Sequence, residues 1–167
     1  MKIKSNCKIP AHLLKNPLHF LSLGFGSGLS PKAPGTMGTI AAIPVYLLLQ
    51  ATTALDLYLV VTFVITLLGI YLCAYTSRAL KVHDHPGIVI DEIAGFLITM
   101  IAVPFSWQTI LAGFILFRIF DILKPWPISW LDKNMRGGLG IMLDDVLAGA
   151  ISLVILHYLI YLQLIPK

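Results

Sequence analysis

Four stretches of this 167-residue chain contain no charged residue over lengths that suit a lipid bilayer. They are residues 33–55, 57–77, 93–117 and 146–166. A helix needs about 20 mainly apolar residues to cross the hydrocarbon core. Only 12% of the chain is charged and 57% is hydrophobic, whereas a soluble domain is roughly one-quarter charged. The pattern predicts an all-α integral membrane bundle.

No repeat, linker or low-complexity segment divides the chain, so we expect a single domain over residues 1–167. Residues 1–20 form a basic N-terminal segment, and residues 21–165 form a helical membrane core. The net charge of +4 suits anionic lipid, and no basic helix or zinc-ligand spacing favours nucleic acid. Cys7 and Cys73 lie far apart in the sequence, and neither is part of a CxxC or CxxH motif. They therefore do not indicate a disulfide framework or a metal–thiolate site.

The third charge-free stretch allows two topologies. Residues 93–117 can form one helix of about 37 Å, or Pro104 can end one helix and a second can begin near Trp107. Lysine and arginine concentrate in cytoplasmic loops, and only the second topology puts all three basic groups on one side. We therefore expect about five short or full membrane helices, with the N-terminus and the active-site helix ends at the cytoplasmic face. These helices are predicted at 40–52, 55–77, 91–103, 107–122 and 146–165.

Two predicted helix starts share one motif at that face. DEIAG begins at Asp91 and DVLAG begins at Asp145, and Asp144 directly precedes the second. Each motif is D-x-x-A-G, which places a glycine one turn from the carboxylate on the same helical face. The missing side chain admits a metal, a phosphate or another helix.

Capping is the simpler explanation for any single acid at a helix start, because carboxylates accept from free N–H groups there. It does not explain five acids on short apolar helices, since closely packed carboxylates repel one another without a cation. Oxygen ligands without Cys or His favour Mg²⁺. The predicted metal ligands are Asp91, Glu92, Asp121, Asp144 and Asp145, and the predicted catalytic residues are Asp91, Glu92, Asp121 and Asp145.

The segment FRIFDILKPWPI (117–128) supplies basic residues. Arg118, Asp121 and Lys124 lie three residues apart and share one helical face. They form either an intrahelical ion pair with a snorkelling lysine or a phosphate site with a guanidinium fork and an ammonium group.

Two loops extend the predicted substrate site. GFGSGLSPKAPGTMGT (24–39) is a plain loop or an anion cradle at a helix N-terminus, in which Lys32, Gly35 and Thr36 would contact phosphate. His83, in SRALKVHDHPG, belongs either to a polar cytoplasmic loop or to the substrate site, and the same alternatives hold for Asp84.

Four blocks in order resemble the bacterial phosphatidylglycerophosphatase A family: GFGSGLSPKAPGTMGT, HDHPGIVIDEIAG, FRIFDILKPWPI and LDDVLAG. The resemblance runs from about Leu21 to the last helix. It implies a Mg²⁺-dependent lipid phosphatase of the bacterial cytoplasmic (inner) membrane. Its phospholipid substrate would be phosphatidylglycerophosphate, whose terminal phosphomonoester is hydrolysed to give phosphatidylglycerol and phosphate in glycerophospholipid biosynthesis. Composition and spacing alone predict only a site for phosphoryl chemistry, with a carboxylate-bound metal, at a membrane face.

Three other functions are compatible with parts of this sequence. A CDP-alcohol phosphatidyltransferase would carry DGxxAR followed by GxxxDxxxD, which this sequence lacks. A divalent-cation or phosphate transporter would place its acids at mid-span, whereas these acids gather at one face. A structural scaffold would use its acids only as helix caps.

Overall fold

The computed structural model describes residues 9–52 and 54–165, and within these ranges it contains helices and no strand. Lys2, Lys4 and Lys8 of the basic N-terminal segment lie outside the described residues. Short 3₁₀ segments cover Ala11–Lys15 and Gly24–Leu29. The α-helices are α1 (Pro17–Ser22), α2 (Pro34–Thr52), α3 (Leu55–Leu80), α4 (Ile90–Thr99), α5 (Trp107–Leu123), α6 (Ile128–Asn134) and α7 (Gly137–Tyr161).

Three helices of the described chain are long and apolar enough to cross a membrane: α2 over Pro34–Ala51, and all of α3 and α7. The outer surface of α3 is strongly apolar, with exposed side chains that include Phe63 and Leu68. Such a surface is costly in water and suits lipid. The expected all-α membrane bundle is confirmed.

Residues 91–122 form a hairpin, so the alternative of one helix over 93–117 is wrong. The 10-residue α4 ends at Thr99, and α5 begins at Trp107. Ser106 starts α5 with a capping box: its hydroxyl accepts from the Thr109 N–H at 3.2 Å, and its own N–H donates to the Thr109 hydroxyl at 3.1 Å. The Thr109 hydroxyl also donates to the Pro104 carbonyl at 2.8 Å. These bonds fix the turn that the sequence placed at Pro104.

Two helices begin earlier than predicted. α2 starts at Pro34 rather than at residue 40, because proline is well suited to the first position of a helix. The helix continues past Pro44 to Thr52. α7 starts at Gly137 rather than near Asp145. The glycine-rich start of α7 is helical because it packs closely: a Cβ on Gly138 would overlap the Ile70 carbonyl oxygen of α3.

α7 is the central helix of the bundle and packs against α3, α4, α5 and α6. The core between these helices contains fully buried Phe96, Phe117, Met142 and Leu156. This arrangement fixes α4 and α7 against each other and leaves their N-terminal halves near the same end of the bundle.

The α2–α3 turn and the α4–α5 turn lie together at the opposite end. They line a small cavity of about 260 Å³, to which Gln50, Leu55, Ala102 and Pro104 contribute. The two ends of the molecule are therefore chemically different, and the charged cavity described below lies at the other one.

Candidate active site

A cavity of about 1030 Å³ lies where the N-terminal ends of α2 and α4 meet the C-terminal end of α5, α6 and the first turns of α7. The loop between α3 and α4 completes its wall. The cavity is lined by carboxylates and basic groups, in contrast to the apolar outer surface of the helices. It is the place where this membrane protein concentrates its charge.

Three carboxylates converge in this cavity. Asp91 and Glu92 come from the first turn of α4, and Asp145 comes from the third turn of α7. Each offers one oxygen within 4.8 Å of the other two. Asp91 and Asp145 are buried, with 7% and 3% of their surface exposed. Asp145 lies inside a helix, so capping does not explain its position.

The glycines of the two D-x-x-A-G motifs bring these acids together. A Cβ on Gly149 would overlap the Gly95 carbonyl oxygen, and a Cβ on Gly95 would lie 2.8 Å from the Asp145 carbonyl oxygen. The Thr99 hydroxyl donates to the Gly95 carbonyl at 2.9 Å at the same crossing. Of the three uses expected for these glycines, the structure shows helix contact.

Several polar atoms of the cavity are buried without a hydrogen-bond partner among the described residues: Asp91 Oδ1, Glu92 Oε2, Asp144 Oδ1 and Arg118 Nε. Unsatisfied carboxylate oxygens are costly, because desolvation and mutual repulsion both oppose their charge. A hard divalent cation removes both costs and prefers oxygen ligands. The residues present therefore fit Mg²⁺.

Arg118 borders the carboxylate cluster. It forms an ion pair with Asp121, three residues along α5, and its Nη1 lies 3.9 Å from Glu92 Oε1. Gly35, at the start of α2, is in close contact with this pair: a Cβ there would overlap Glu92 Oε1 and lie 3.2 Å from Arg118 Nη1. Asp121 thus pairs with Arg118 at the edge of the three-carboxylate cluster.

Lys124 forms a second ion-paired group at the end of α5. Its ammonium pairs with Asp144 of α7 and lies 3.5 Å from Asp132 Oδ1 of α6. Burial lowers the pKa of Lys124, but the carboxylates of Asp144 and Asp145 outweigh burial and raise it above its usual value. The lysine therefore remains charged within the cavity and joins three helices.

The sequence profile of the family described as phosphatidylglycerophosphatase A matches residues 20–160. The chain belongs to the phosphatidylglycerophosphatase A family. A phosphatidylglycerophosphatase A from Escherichia coli K12 is 50% identical over 147 residues, which cover 87% of this chain and 85% of that protein. Its counterpart from Haemophilus influenzae is 45% identical over 152 residues, or 90% and 93% of the two chains.

A third relative is a putative phosphatidylinositol-3-phosphatase from Bacteroides thetaiotaomicron, 40% identical over 144 residues, or 81% of this chain and 89% of that protein. No solved structure matches the chain. Membership of the phosphatidylglycerophosphatase A family makes the chain a phosphatase. This assignment excludes the phosphatidyltransferase, transporter and scaffold alternatives as its main function.

Most of the predicted site residues line the cavity of this family member. Asp91, Glu92 and Asp145 form the cluster, while the other two predicted metal ligands, Asp121 and Asp144, pair with basic residues. The predicted substrate-binding residues that line the cavity are Gly35, His83, Arg118 and Lys124.

Two predicted residues lie outside the cavity, and His83 also makes a hydrogen bond that connects two segments of the chain. Lys32 is exposed before α2 and Thr36 follows Gly35, and neither lines the cavity. His83 Nε2 accepts a hydrogen bond from the Gly137 N–H at 2.8 Å, which ties the α3–α4 loop to the start of α7.

Asp132 lines the cavity without having been selected from the sequence. It lies on α6, beyond a Pro-containing turn from Lys124, so helical spacing could not connect the two residues. Its place in LDKN, between α5 and the DVLAG motif, was the only signal available.

Proposed function

We propose that this phosphatase is Mg²⁺-dependent and hydrolyses the terminal phosphomonoester of phosphatidylglycerophosphate, giving phosphatidylglycerol and phosphate in glycerophospholipid biosynthesis. The observation that carries the proposal is the cluster of Asp91, Glu92 and Asp145 beside Arg118 in one cavity. The substrate is the one named for the family and for two relatives. The cavity would face the cytoplasm at the bacterial inner membrane.

Asp91, Glu92 and Asp145 would hold the metal, because their oxygens already lie within 4.8 Å of one another. Asp144 Oδ1 is a further buried oxygen without a partner among the described residues. When bound, Mg²⁺ supplies charge neutralisation at phosphate oxygens and lowers the pKa of a coordinated water.

The basic residues of the chain would bind and orient the phosphate. Arg118 Nε is buried and has no hydrogen-bond partner among the described residues, so it is available to donate to a phosphate oxygen. The lack of a side chain at Gly35 brings Arg118 and Glu92 against the start of α2, whose backbone N–H groups would also donate to the phosphate. Lys124 would provide a second positive charge at the cost of weakening its pairing with Asp144.

Hydrolysis then requires proton transfers that carboxylates can perform. Water attacks phosphorus as a carboxylate of the cluster accepts its proton, and the bond between phosphorus and the glycerol oxygen breaks. The glycerol oxygen takes up a proton, so the products are phosphatidylglycerol and inorganic phosphate. Burial of the cluster keeps the reacting charges in a low-dielectric environment, where the fixed charges act more strongly.

The test is phosphate release by the purified protein in detergent, with phosphatidylglycerophosphate, phosphatidic acid and phosphatidylinositol 3-phosphate as substrates. We expect the highest kcat/KM with phosphatidylglycerophosphate, loss of activity in EDTA and recovery on adding Mg²⁺. Asp145→Asn should lower activity by at least about a hundredfold, whereas the exposed Asp56→Asn should not. A preference for the inositol lipid would replace the proposed substrate, and full activity in EDTA would refute the metal dependence.

A further inference from the structure

The charged cavity meets the large exposed hydrophobic side chains of the described chain at Ile122. Ile122 lines the cavity wall, yet 65% of its surface is exposed. Among the large exposed hydrophobic residues of the described chain, it is the only one that lines this cavity. An apolar molecule that leaves the cavity sideways would therefore pass Ile122.

Ile122 continues an exposed apolar stripe on α5. Leu111, Ile115 and Ile119 precede it at helical spacing on one face, and all three are more than 40% exposed. Phe117, on the opposite face, is fully buried in the core. In a membrane-embedded helix such a stripe faces hydrocarbon chains rather than water.

The polar end of this stripe lies next to the phosphate-binding side chain. Arg118 precedes Ile122 by one helical turn, a rise of about 6 Å along α5, and its Nη1 lies 3.9 Å from Glu92 Oε1 in the cavity. Positive charge and carboxylates are thus flanked, within one turn, by exposed apolar side chains of α5. A lipid with a phosphomonoester headgroup likewise joins a charged group to apolar chains.

We propose that Ile122 forms a lateral opening through which the acyl chains of the bound phosphomonoester lipid leave the cavity and lie along the stripe of Leu111, Ile115 and Ile119. The phosphate would remain beside Arg118. The identity of the headgroup rests on the proposed function. The lateral opening rests on the position of Ile122 in both the cavity wall and the outer stripe.

The kinetic test compares two substrates that share a headgroup and differ in their acyl chains: dioleoyl phosphatidylglycerophosphate in liposomes and a dihexanoyl analogue dissolved as monomers. The readout is the ratio of the two kcat/KM values. We expect this ratio to fall roughly three- to tenfold in Ile122→Ser, and less in Ile122→Ala, because acyl-chain contacts are lost. Leu68→Ser is the matched control, at an exposed position of α3 that belongs neither to the cavity lining nor to the stripe, and should leave the ratio unchanged.

A second test measures binding without turnover. A phosphonate analogue of the substrate, with a photoactivatable diazirine near the glycerol end of one acyl chain, is cross-linked in proteoliposomes and the adducts are mapped by mass spectrometry. We expect adducts concentrated on residues 115–122, and several-fold fewer there with phosphatidylglycerol that carries the same diazirine.

The lateral opening is refuted by phosphate-dependent adducts on another helix or by equal adducts from both lipids. An unchanged kinetic ratio in both Ile122 variants, or an equal fall in Leu68→Ser, would also refute it. If the unmodified protein fails to hydrolyse phosphatidylglycerophosphate, the proposed function fails, while the cross-linking result still decides the lateral opening.

Discussion

Glu92 connects the carboxylate cluster of the candidate active site with its basic residues. It clusters with Asp91 and Asp145, and its Oε1 lies 3.9 Å from Arg118 Nη1. Glu92→Gln keeps the size of the side chain and removes its charge. We expect the Mg²⁺ concentration that gives half-maximal phosphate release to rise at least about tenfold, because a ligand charge is lost. The measurement is phosphate release titrated with Mg²⁺.

Asp56→Asn is the control for this experiment, because Asp56 is exposed in the first turn of α3, outside the cavity. Mg²⁺ should also raise the thermal unfolding midpoint of the unmodified protein and of Asp56→Asn, by relieving repulsion among the clustered carboxylates. The rise should be smaller in Glu92→Gln. An unchanged Mg²⁺ requirement in Glu92→Gln would contradict its role as a ligand.

The pair of Lys124 and Asp144 makes a prediction about stability. Both side chains are mostly buried, with 20% and 7% of their surface exposed. Lys124→Met leaves the Asp144 charge buried without its closest partner, so we expect a loss of about 1–3 kcal/mol in the free energy of unfolding. Chemical unfolding in detergent and EDTA measures this loss.

A double-mutant cycle separates this pair from a general packing defect. Lys124→Met combined with Asp144→Asn should recover part of the lost stability, because no unpaired charge remains in the pair. If the two losses simply add, the residues do not interact as the structure describes.

Single acidic residues of this site could be predicted from the free-energy cost of burying their charge, whereas the residues they pair with could not. Acids on apolar helices stand out because burying them is expensive, and this identified Asp91, Glu92 and Asp145. The contact of Lys124 with Asp144 joins residues 20 positions apart on two helices. No local spacing rule reaches across that distance, so the ion pair of Lys124 with Asp144 required the structure, while the role of Asp144 as a metal ligand stays a prediction.

At the scale of helices, the crossing of α4 and α7 fixes the distance between the two D-x-x-A-G motifs. Gly149→Ala would place a Cβ against the Gly95 carbonyl and push the helices apart. We expect a loss of about 1–3 kcal/mol in stability and a fall in kcat/KM of roughly a hundredfold, because Asp145 moves away from Glu92. Thermal unfolding and phosphate release measure the two effects.

Val154→Leu enlarges an exposed position on the same helix and should change neither quantity. Activity retained in Gly149→Ala, together with a normal unfolding midpoint, would show that this crossing tolerates separation.

The hairpin of α4 and α5 could be predicted because charge distribution constrains topology: only a turn near Pro104 places all basic groups on one side. The start of α7 at Gly137 could not be predicted from the sequence. Glycine normally disfavours a helix interior, and the early start at Gly137 depends on close packing of Gly138 against Ile70 of α3. That contact is tertiary and leaves no periodic signal in the sequence.

Over the described residues, the molecule has one charged end and one nearly uncharged end. Lys81, Lys124 and Lys133 line the charged cavity, whereas Asp56 lies near the small cavity between the two opposite turns. The proposed orientation places the charged end in the cytoplasm, because basic residues are retained there. The phosphate product would then be released inside the cell.

Cysteine labelling tests this orientation. In a chain with Cys7 and Cys73 replaced by Ser and Ala, Asp56→Cys and Arg136→Cys each introduce one thiol at an exposed position, at opposite ends of the bundle. A membrane-impermeant maleimide added to cells with a permeabilised outer membrane should label Asp56→Cys, and it should label Arg136→Cys only after the inner membrane is opened. The reverse pattern would place the cavity outside. Labelling of both thiols while the inner membrane is intact would contradict the predicted number of membrane crossings, because an even number of crossings would then separate Asp56 from Arg136.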